Sequence, residues 1–239
     1  MARVRNQEDY TIKKQQILAH AVNLLSEIGY EKLSINKVIE SSGMTKGAFF
    51  HYYSSKKDLI DSIIRLLLDP IMAAFNQIVD DKALSPRQKI KAMFASATEL
   101  KTAENELVSL LANLLYKEEN QTVLHMITKD MLIINLPTYE KVIREGVDKG
   151  DFAIENSHGA AFMFLTTVIA LNEELGRTIY CENSSIEDWR NLYDKLMHFE
   201  RYAKGLFGFE DEVNLYGNSI NLIKKLLNIK NIAKNLDNV

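Results

Sequence analysis

The sequence is poor in the residues that interrupt helices, with only three prolines and ten glycines in 239 residues. Turn-rich β folds use both residue types often, so this scarcity predicts an all-α fold built from long helices. A single cysteine, Cys181, excludes a disulfide within the chain and suits a reducing compartment. Residues 1–9 lack the apolar segment of a secretory signal, and the longest apolar run, residues 160–171, is shorter than the roughly 20 residues that span a bilayer. These absences predict a cytoplasmic protein.

Catalytic and metal-binding patterns are also missing. The five histidines form neither an HExxH motif nor a closely spaced pair, and Cys181 has no partner for a CxxC motif. The chain contains no GxxxxGK[S/T] phosphate loop and no GxGxxG motif. We therefore expect no enzyme activity, no cofactor and no metal site. An enzyme with its site in the helical body is an alternative for which the sequence nominates no residue.

The charge of the chain is unevenly distributed. Residues 1–60 hold nine Lys or Arg against six Asp or Glu, a net charge of +3, whereas residues 61–239 hold 20 against 26, a net charge of −6. Apolar residues make up 46% of the chain, an ordinary fraction for a soluble protein with a substantial core. A basic end on an acidic body suits a protein that meets phosphates at one end.

Residues 33–58 follow the spacing of a helix-turn-helix. Ser34 is placed to cap a first short helix, and Gly43 can take the positive backbone dihedral that ends it. Thr45 then caps a second helix over residues 46–52. This arrangement predicts a DNA-reading element.

The second helix has an unusual outer face. At about 100° per residue, Phe49 and Tyr53 point toward a core, and the opposite side carries a cation, a glycine, an aromatic ring and an imidazole, but no carboxylate. Such a face can approach phosphates at the glycine and offer its rings to base edges or sugars. The alternative is that the aromatic ring belongs to the core and the charges are merely solvated. The four residues are Lys46, Gly47, Phe50 and His51.

The run GMTKGAFFHYYSSK from Gly43 to Lys56, followed by Asp58-Leu59-Ile60, resembles the DNA-binding domain of the TetR family of transcriptional regulators. The upstream helix, with Ala21, Leu25 and Gly29-Tyr30, matches as well. The close similarity covers roughly residues 10–65, and beyond them it is one of architecture.

The resemblance implies a set of DNA contacts. Lys56 corresponds to a position that holds a phosphate, and the remaining contacts are expected at Ser34, Asn36, Thr45, Lys46, Gly47, Phe50 and His51. Two residues depart from the family pattern. Phe50 stands where tyrosine is usual, so a hydroxyl contact to phosphate is missing, and Tyr52 stands where histidine is common.

Apolar periodicity predicts helices along the rest of the chain. A first helix is expected over residues 11–28, ended by Gly29, after a polar arm over residues 1–9. A capping box, in which Ser55 and Asp58 satisfy each other's backbone donors, starts the fourth helix. That helix runs to residue 79 with a kink or end at Pro70, and later helices are expected over residues 85–100, 104–116, 121–149, 157–181, 186–207 and 212–235. We expect a DNA-binding domain over residues 1–55 and an effector-binding and dimerisation domain over residues 56–239.

The helix over residues 157–181 is apolar on all sides, which predicts cover from both the body and a partner. By the resemblance, this helix and the one over residues 186–207 meet their copies across a two-fold axis as a four-helix bundle. The alternative is that both helices are simply core.

The resemblance also implies a small-molecule pocket in the body. Methionine and aromatic side chains would suit an apolar or amphipathic effector, although each of them is more often plain core, since pockets and cores share a composition. The expected lining residues are Phe75, Met93, Phe94, Leu111, Tyr116, Met126, Ile133, Tyr139, Phe162 and Thr166.

Together these features predict a homodimeric repressor that binds an inverted-repeat operator in double-stranded DNA and is released by a small effector. The effector would move the helix over residues 55–79 and change the separation of the two DNA-binding heads. The alternative is a helical ligand-binding or scaffolding protein that no longer binds DNA.

Overall fold

The computed structural model describes the backbone of residues 2–102, 111, 114–180, 183–211 and 213–236 and the side chains of residues 7–97, 111, 114–180, 183–211, 213–225 and 227. These residues form helices joined by turns, with no strand among them, which confirms the predicted all-α fold. A 3-10 helix, Glu118–Asn120, precedes α6. The helices are α1 (Ala2–Lys32), α2 (Ile35–Ser42), α3 (Lys46–Phe50), α4 (Lys56–Asp80), α5 (Pro86–Thr102), α6 (Gln121–Asp148), α7 (Ser157–Tyr180), α8 (Ile186–Phe207) and α9 (Gly217–Leu236).

Several boundaries differ from the sequence prediction. Helix α1 begins at Ala2 instead of residue 11, because lengthening a helix that has already formed costs little free energy. Gly29 breaks α1 without ending it, and one more turn follows to Lys32. Helices α4 and α6, in contrast, keep close to their predicted ranges and run through Pro70 and Pro137, and at Pro70 the sequence leaves a kink or an end open. The predicted helix over residues 104–116 lies largely outside the described residues, and Cys181 lies outside them as well.

The chain forms two compact units. The first comprises Met1–Pro70 and Asn105–Ile127, and the second comprises Ile71–Glu104 and Thr128–Val239. Helices α4 and α6 therefore each begin in the first unit and end in the second. The domain boundary placed after residue 55 from the sequence stays a prediction.

The core of the first unit is built from the facing apolar sides of α1 to α4. Full burial of one large apolar side chain contributes about 1.5–3 kcal/mol, so this set accounts for much of the stability of the unit. The buried apolar side chains over residues 17–68 are Ile17, Leu18, Ala21, Val22, Leu25, Leu33, Val38, Phe49, Tyr53, Leu59, Ile60, Ile63, Ile64 and Leu68, and the second segment of the unit adds Leu111, Leu114, Leu115, Val123, Leu124 and Ile127.

Helix α4 is the one helix in the described part of the chain that is long and apolar enough to cross a membrane. This test rests on length and composition alone, and core helices of soluble proteins pass it too. The first half of α4 turns its apolar side chains, Leu59, Ile60, Ile63 and Ile64, into the protein core. These buried side chains account for part of the hydropathy of α4.

Aromatic rings fill the core of the second unit. Ring centroids lie 5.0–6.3 Å apart in a continuous cluster, mostly in edge-to-face or tilted arrangements. Beside the cluster, the buried Lys89 donates from Nζ to the Val79 carbonyl and to a Glu145 oxygen, each at 2.8 Å, and so ties α5 to α4 and α6. The clustered rings are those of Phe94, Tyr139, Phe164, Phe199, Phe207 and Tyr216.

Gly29 and Gly43 give a matched test of the first unit, because both have positive φ. A Cβ at Gly29 would lie 2.5 Å from the Glu119 Cβ, and the backbone there (φ 75°, ψ 168°) is open to glycine almost alone. A Cβ at Gly43 meets nothing within 4 Å. We expect Gly29→Ala to lower the free energy of unfolding by about 2–4 kcal/mol and Gly43→Ala by about 1–2 kcal/mol in urea titrations. Equal losses would contradict the contact at Glu119.

Candidate nucleic-acid interface

Side-chain and glycine caps define the helix-turn-helix. The Ser34 hydroxyl accepts from the Lys37 N–H at 3.4 Å, and the Thr45 hydroxyl accepts from the Ala48 N–H at 3.3 Å. Between them, Gly43 takes a left-handed conformation with φ of 64° and closes α2. All three caps were predicted from the sequence. Helix α3 ends at Phe50, earlier than predicted, and residues 51 and 52 form a turn.

Two aromatic side chains fix α3 to the core. Phe49 is fully buried, and Tyr53 is almost fully buried with its hydroxyl donating to the Lys14 carbonyl at 3.1 Å. Desolvation by burial raises the pKa of Tyr53 to about 12. A helix of five residues is not stable by itself, so these tertiary contacts hold it in place.

A third aromatic contact supports the end of α3. The Tyr10 ring on α1 stacks on Tyr52 with centroids 4.8 Å apart and meets His51 edge-on at 5.7 Å. The role of Tyr10 could not be predicted from the sequence, because its partners lie more than 40 residues away and leave no local pattern. The contact orients the turn that carries His51.

The predicted DNA-contacting residues of α2 and α3 all lie at the surface. The Phe50 side chain is 43% exposed, whereas its neighbour Phe49 is 0% exposed, so Phe50 does not belong to the core. Lys46 takes part in no hydrogen bond or ion pair within the described residues, which leaves its ammonium available. We call the following exposed set the reading surface: Ser34, Asn36, Thr45, Lys46, Gly47, Phe50 and His51.

Lys56 is held less freely than the reading surface. Its Nζ donates to the Tyr30 carbonyl at 2.6 Å and lies 3.9 Å from the centroid of the Tyr30 ring. Desolvation lowers the pKa of Lys56, and the nearby Glu31 carboxylate opposes that shift. An ammonium has three N–H donors, so two remain for a phosphate after the bond to Tyr30.

The cap of α4 differs in part from the predicted box. The Ser55 hydroxyl accepts from the Asp58 N–H at 3.0 Å, as predicted. Asp58, however, accepts from the N–H and the hydroxyl of Ser54, at 2.8 and 3.0 Å, and not from Ser55. The carboxylate therefore reaches one residue further back than the box predicts. Lys56 is still fixed at the first turn of α4.

The predicted effector-lining residues are divided between the two units. Leu111 is buried and Tyr116 and Met126 are half-buried in the first unit. In the second unit, four residues belong to the core (Phe75, Met93, Phe94 and Tyr139), and three are exposed (Ile133, Phe162 and Thr166). The pocket therefore stays a prediction. Across the described residues, no group of three or more His, Cys, Asp or Glu is placed to hold a metal ion.

Comparison with known proteins supports a DNA-binding assignment. Residues 17–63 match the protein-family model of bacterial regulatory proteins of the tetR family. The HTH-type transcriptional repressor KstR2 of Rhodococcus jostii is 24% identical over 160 residues, which cover 64% of this chain and 74% of that repressor. KstR2 of Mycolicibacterium smegmatis is 24% identical over 87 residues, which cover 36% of this chain and 42% of that protein.

The fold has relatives among solved structures. The crystal structure of a TetR-family transcriptional regulator from Syntrophomonas wolfei matches with a TM-score of 0.58 at 19% identity, over 82% of this chain and 97% of that one. At this identity the likeness concerns the fold alone. It extends the similarity from the helix-turn-helix to most of the helical body. On these findings, residues 17–63 form a helix-turn-helix of the bacterial tetR type, and most of the chain is similar in fold to a TetR-family regulator.

Proposed function

We propose that the protein is a cytoplasmic, ligand-responsive transcriptional repressor. It binds an inverted-repeat operator as a homodimer and is released by a small apolar or amphipathic effector. The observation that carries the proposal is the reading surface, an exposed set of cationic, small and aromatic residues on two capped helices.

The composition around α3 favours DNA. No Asp or Glu occurs between residues 41 and 57, whereas lysine occurs at positions 46, 56 and 57. A Cβ at Gly47 would meet nothing within 4 Å, so the backbone there is open to close approach by a phosphate. The Phe50 ring is suited to a thymine methyl group or a sugar, and His51 to a base edge or phosphate. The free Lys46 ammonium adds a charge-assisted contact.

A groove on α7 and α8 supports the homodimer. The groove has a volume of about 760 Å³. Its lining combines the apolar and aromatic residues Met163, Leu171, Phe199 and Tyr202 with the polar residues Thr167, Asn191, Asp194, Lys195 and His198. Phe162, the residue before Met163, is also exposed, so α7 presents large apolar side chains to solvent. Surfaces of this kind mark protein interfaces, and inverted repeats are read by two-fold dimers. We assign the groove to a second copy of the chain.

The effector would act through the helices that both units share. The proposed lining residues are the aromatic and methionine side chains named from the sequence, with Phe75, Met93, Phe94 and Tyr139 in the second unit. Helix α4 begins with Lys56 in the first unit and ends in the second, so a shift of α4 on effector binding reaches the DNA-binding unit through a continuous helix. To release the operator, the effector must bind the non-binding state more tightly by at least the free energy gained from DNA.

The proposal is tested by selecting duplexes from a random DNA pool with the full-length protein and repeating the selection with apolar and amphipathic compounds. We expect an inverted repeat to be enriched, and some compounds to suppress the enrichment. Failure to enrich any duplex over many rounds would contradict the proposal and favour the ligand-binding or scaffolding alternative.

Gly47→Ala separates DNA contact from folding. The added methyl group has open space in the folded protein, and alanine favours a helix over glycine by about 0.5–1 kcal/mol. We expect an unchanged or higher melting temperature together with operator affinity lowered about tenfold or more, because the methyl group blocks the close approach of a phosphate. Melting curves and binding titrations on the same preparation provide the check. Undiminished affinity would remove Gly47 from the contact surface.

Met163→Glu tests the groove as the dimer interface. Met163 is 61% exposed, so a charge there leaves the fold of one subunit intact but is costly in a buried interface. We expect sedimentation to find monomers and the operator affinity to be lost. Ile12→Glu is the matched control, since Ile12 is 49% exposed on α1, and it should stay dimeric. A dimeric Met163→Glu protein would contradict the assignment of the groove.

A further inference from the structure

The break in α1 at Gly29 is bridged by residues far away in the sequence. In an uninterrupted α-helix, the Tyr30 N–H would donate to the Ser26 carbonyl. Here the Tyr30 N–H donates to Oδ1 of Asn120 at 2.9 Å, and the Ser26 carbonyl accepts from Nζ of Lys117 at 3.1 Å. Both new partners belong to the turn that leads into α6, and all of these residues lie in the first unit.

Both polar atoms of the Asn120 side chain form hydrogen bonds to backbone groups. The residue is 0% exposed, and besides accepting from Tyr30 its Nδ2 donates to the Leu25 carbonyl at 3.3 Å and to the Leu114 carbonyl at 3.0 Å. An aspartate would lack the two donors, and an alanine would leave three backbone groups without these partners. The side chain therefore fixes the position of Tyr30 relative to the start of α6.

Tyr30 also contacts Lys56, through its carbonyl and its ring. The Tyr30 carbonyl and ring both contact the Lys56 ammonium, at 2.6 Å and 3.9 Å. Lys56 is the first residue of α4, and Asn120 immediately precedes the first residue of α6. The first residue of α4 and the residue that precedes α6 thus both contact Tyr30. We call Asn120, Tyr30 and Lys56 the Tyr30 clamp.

We propose that Asn120 is a positioning residue for DNA binding, which acts through Tyr30 to hold the Lys56 ammonium in place for a phosphate. This inference rests on the proposed function, since it assumes that Lys56 contacts DNA. A free lysine side chain loses considerable rotamer entropy when it binds, and the clamp has already restricted it.

A double-mutant cycle on the full-length protein tests the inference. Wild type, Asn120→Ala, Lys56→Ala and the double variant are titrated with the selected operator and with an unrelated duplex at several salt concentrations. We expect Lys56→Ala to reduce the slope of log affinity against log salt by about 0.9, the value for one phosphate contact, and Asn120→Ala to reduce it in the same direction. The double variant should bind no more weakly than Lys56→Ala alone, because Asn120 acts through Lys56.

Lys46→Ala is the matched control, since Lys46 lies outside the clamp. In the Lys46→Ala, Asn120→Ala double variant, the fold-change in operator affinity should equal the product of the two single fold-changes. The positioning role would be overturned if the fold-changes in affinity caused by Asn120→Ala and Lys56→Ala multiply in the double variant. It would also be overturned by an unchanged salt slope in Asn120→Ala.

Tyr30→Leu covers the case in which Asn120→Ala does not fold. The substitution keeps the backbone bond to Asn120 and removes the ring beneath the ammonium. It should flatten the salt slope and add nothing to Lys56→Ala, and additivity would again overturn the inference. If wild type binds no duplex at any salt concentration, the proposed function itself falls, whereas normal binding by wild type with additive variants removes only the clamp.

Discussion

The burial of two aromatic side chains, Phe49 and Tyr53, is the contact on which the DNA-binding element depends. Helix α3 has five residues, too few to be stable without tertiary packing, so its orientation is set by where these rings are buried. Because Phe49 is buried, the helical period turns Gly47 and Phe50 outward, and Lys46 is exposed at the first residue of α3. The aromatic anchors thus determine both the stability of the element and which residues DNA can meet.

Capping then determines where each helix of the element begins and ends. Ser34, Thr45 and Ser55 each accept a backbone N–H at a helix start, and Gly43 provides the left-handed turn between α2 and α3. These are local interactions, and the sequence reveals them because the residue type and its spacing to the helix are sufficient. For the same reason, the core and surface sides of α3 could be predicted from periodicity alone.

Contacts between distant parts of the chain could not be predicted in this way. Asn120 bonds Tyr30 across 90 residues, and Tyr10 stacks on Tyr52 across 42, with no motif to mark either pair. The Asp58 carboxylate accepts from Ser54 and not from Ser55, and this depends on side-chain rotamers that a capping pattern does not specify. In the second unit, a pocket and a core draw on the same apolar and aromatic residues, so composition could not separate Phe94, which is buried, from Phe162, which is exposed.

We expect the reading surface to lie against DNA, and hydroxyl-radical footprinting with mass spectrometry tests that placement most directly. Phe50 is exposed and reactive in the free protein, Phe49 is a buried neighbour on the same peptide, and Ile12 is an exposed reference on α1. Saturation with the selected operator should protect the Phe50 ring strongly while leaving the oxidation of Phe49 and Ile12 unchanged. A Phe50 ring that is oxidised equally in the free and bound protein would contradict the account.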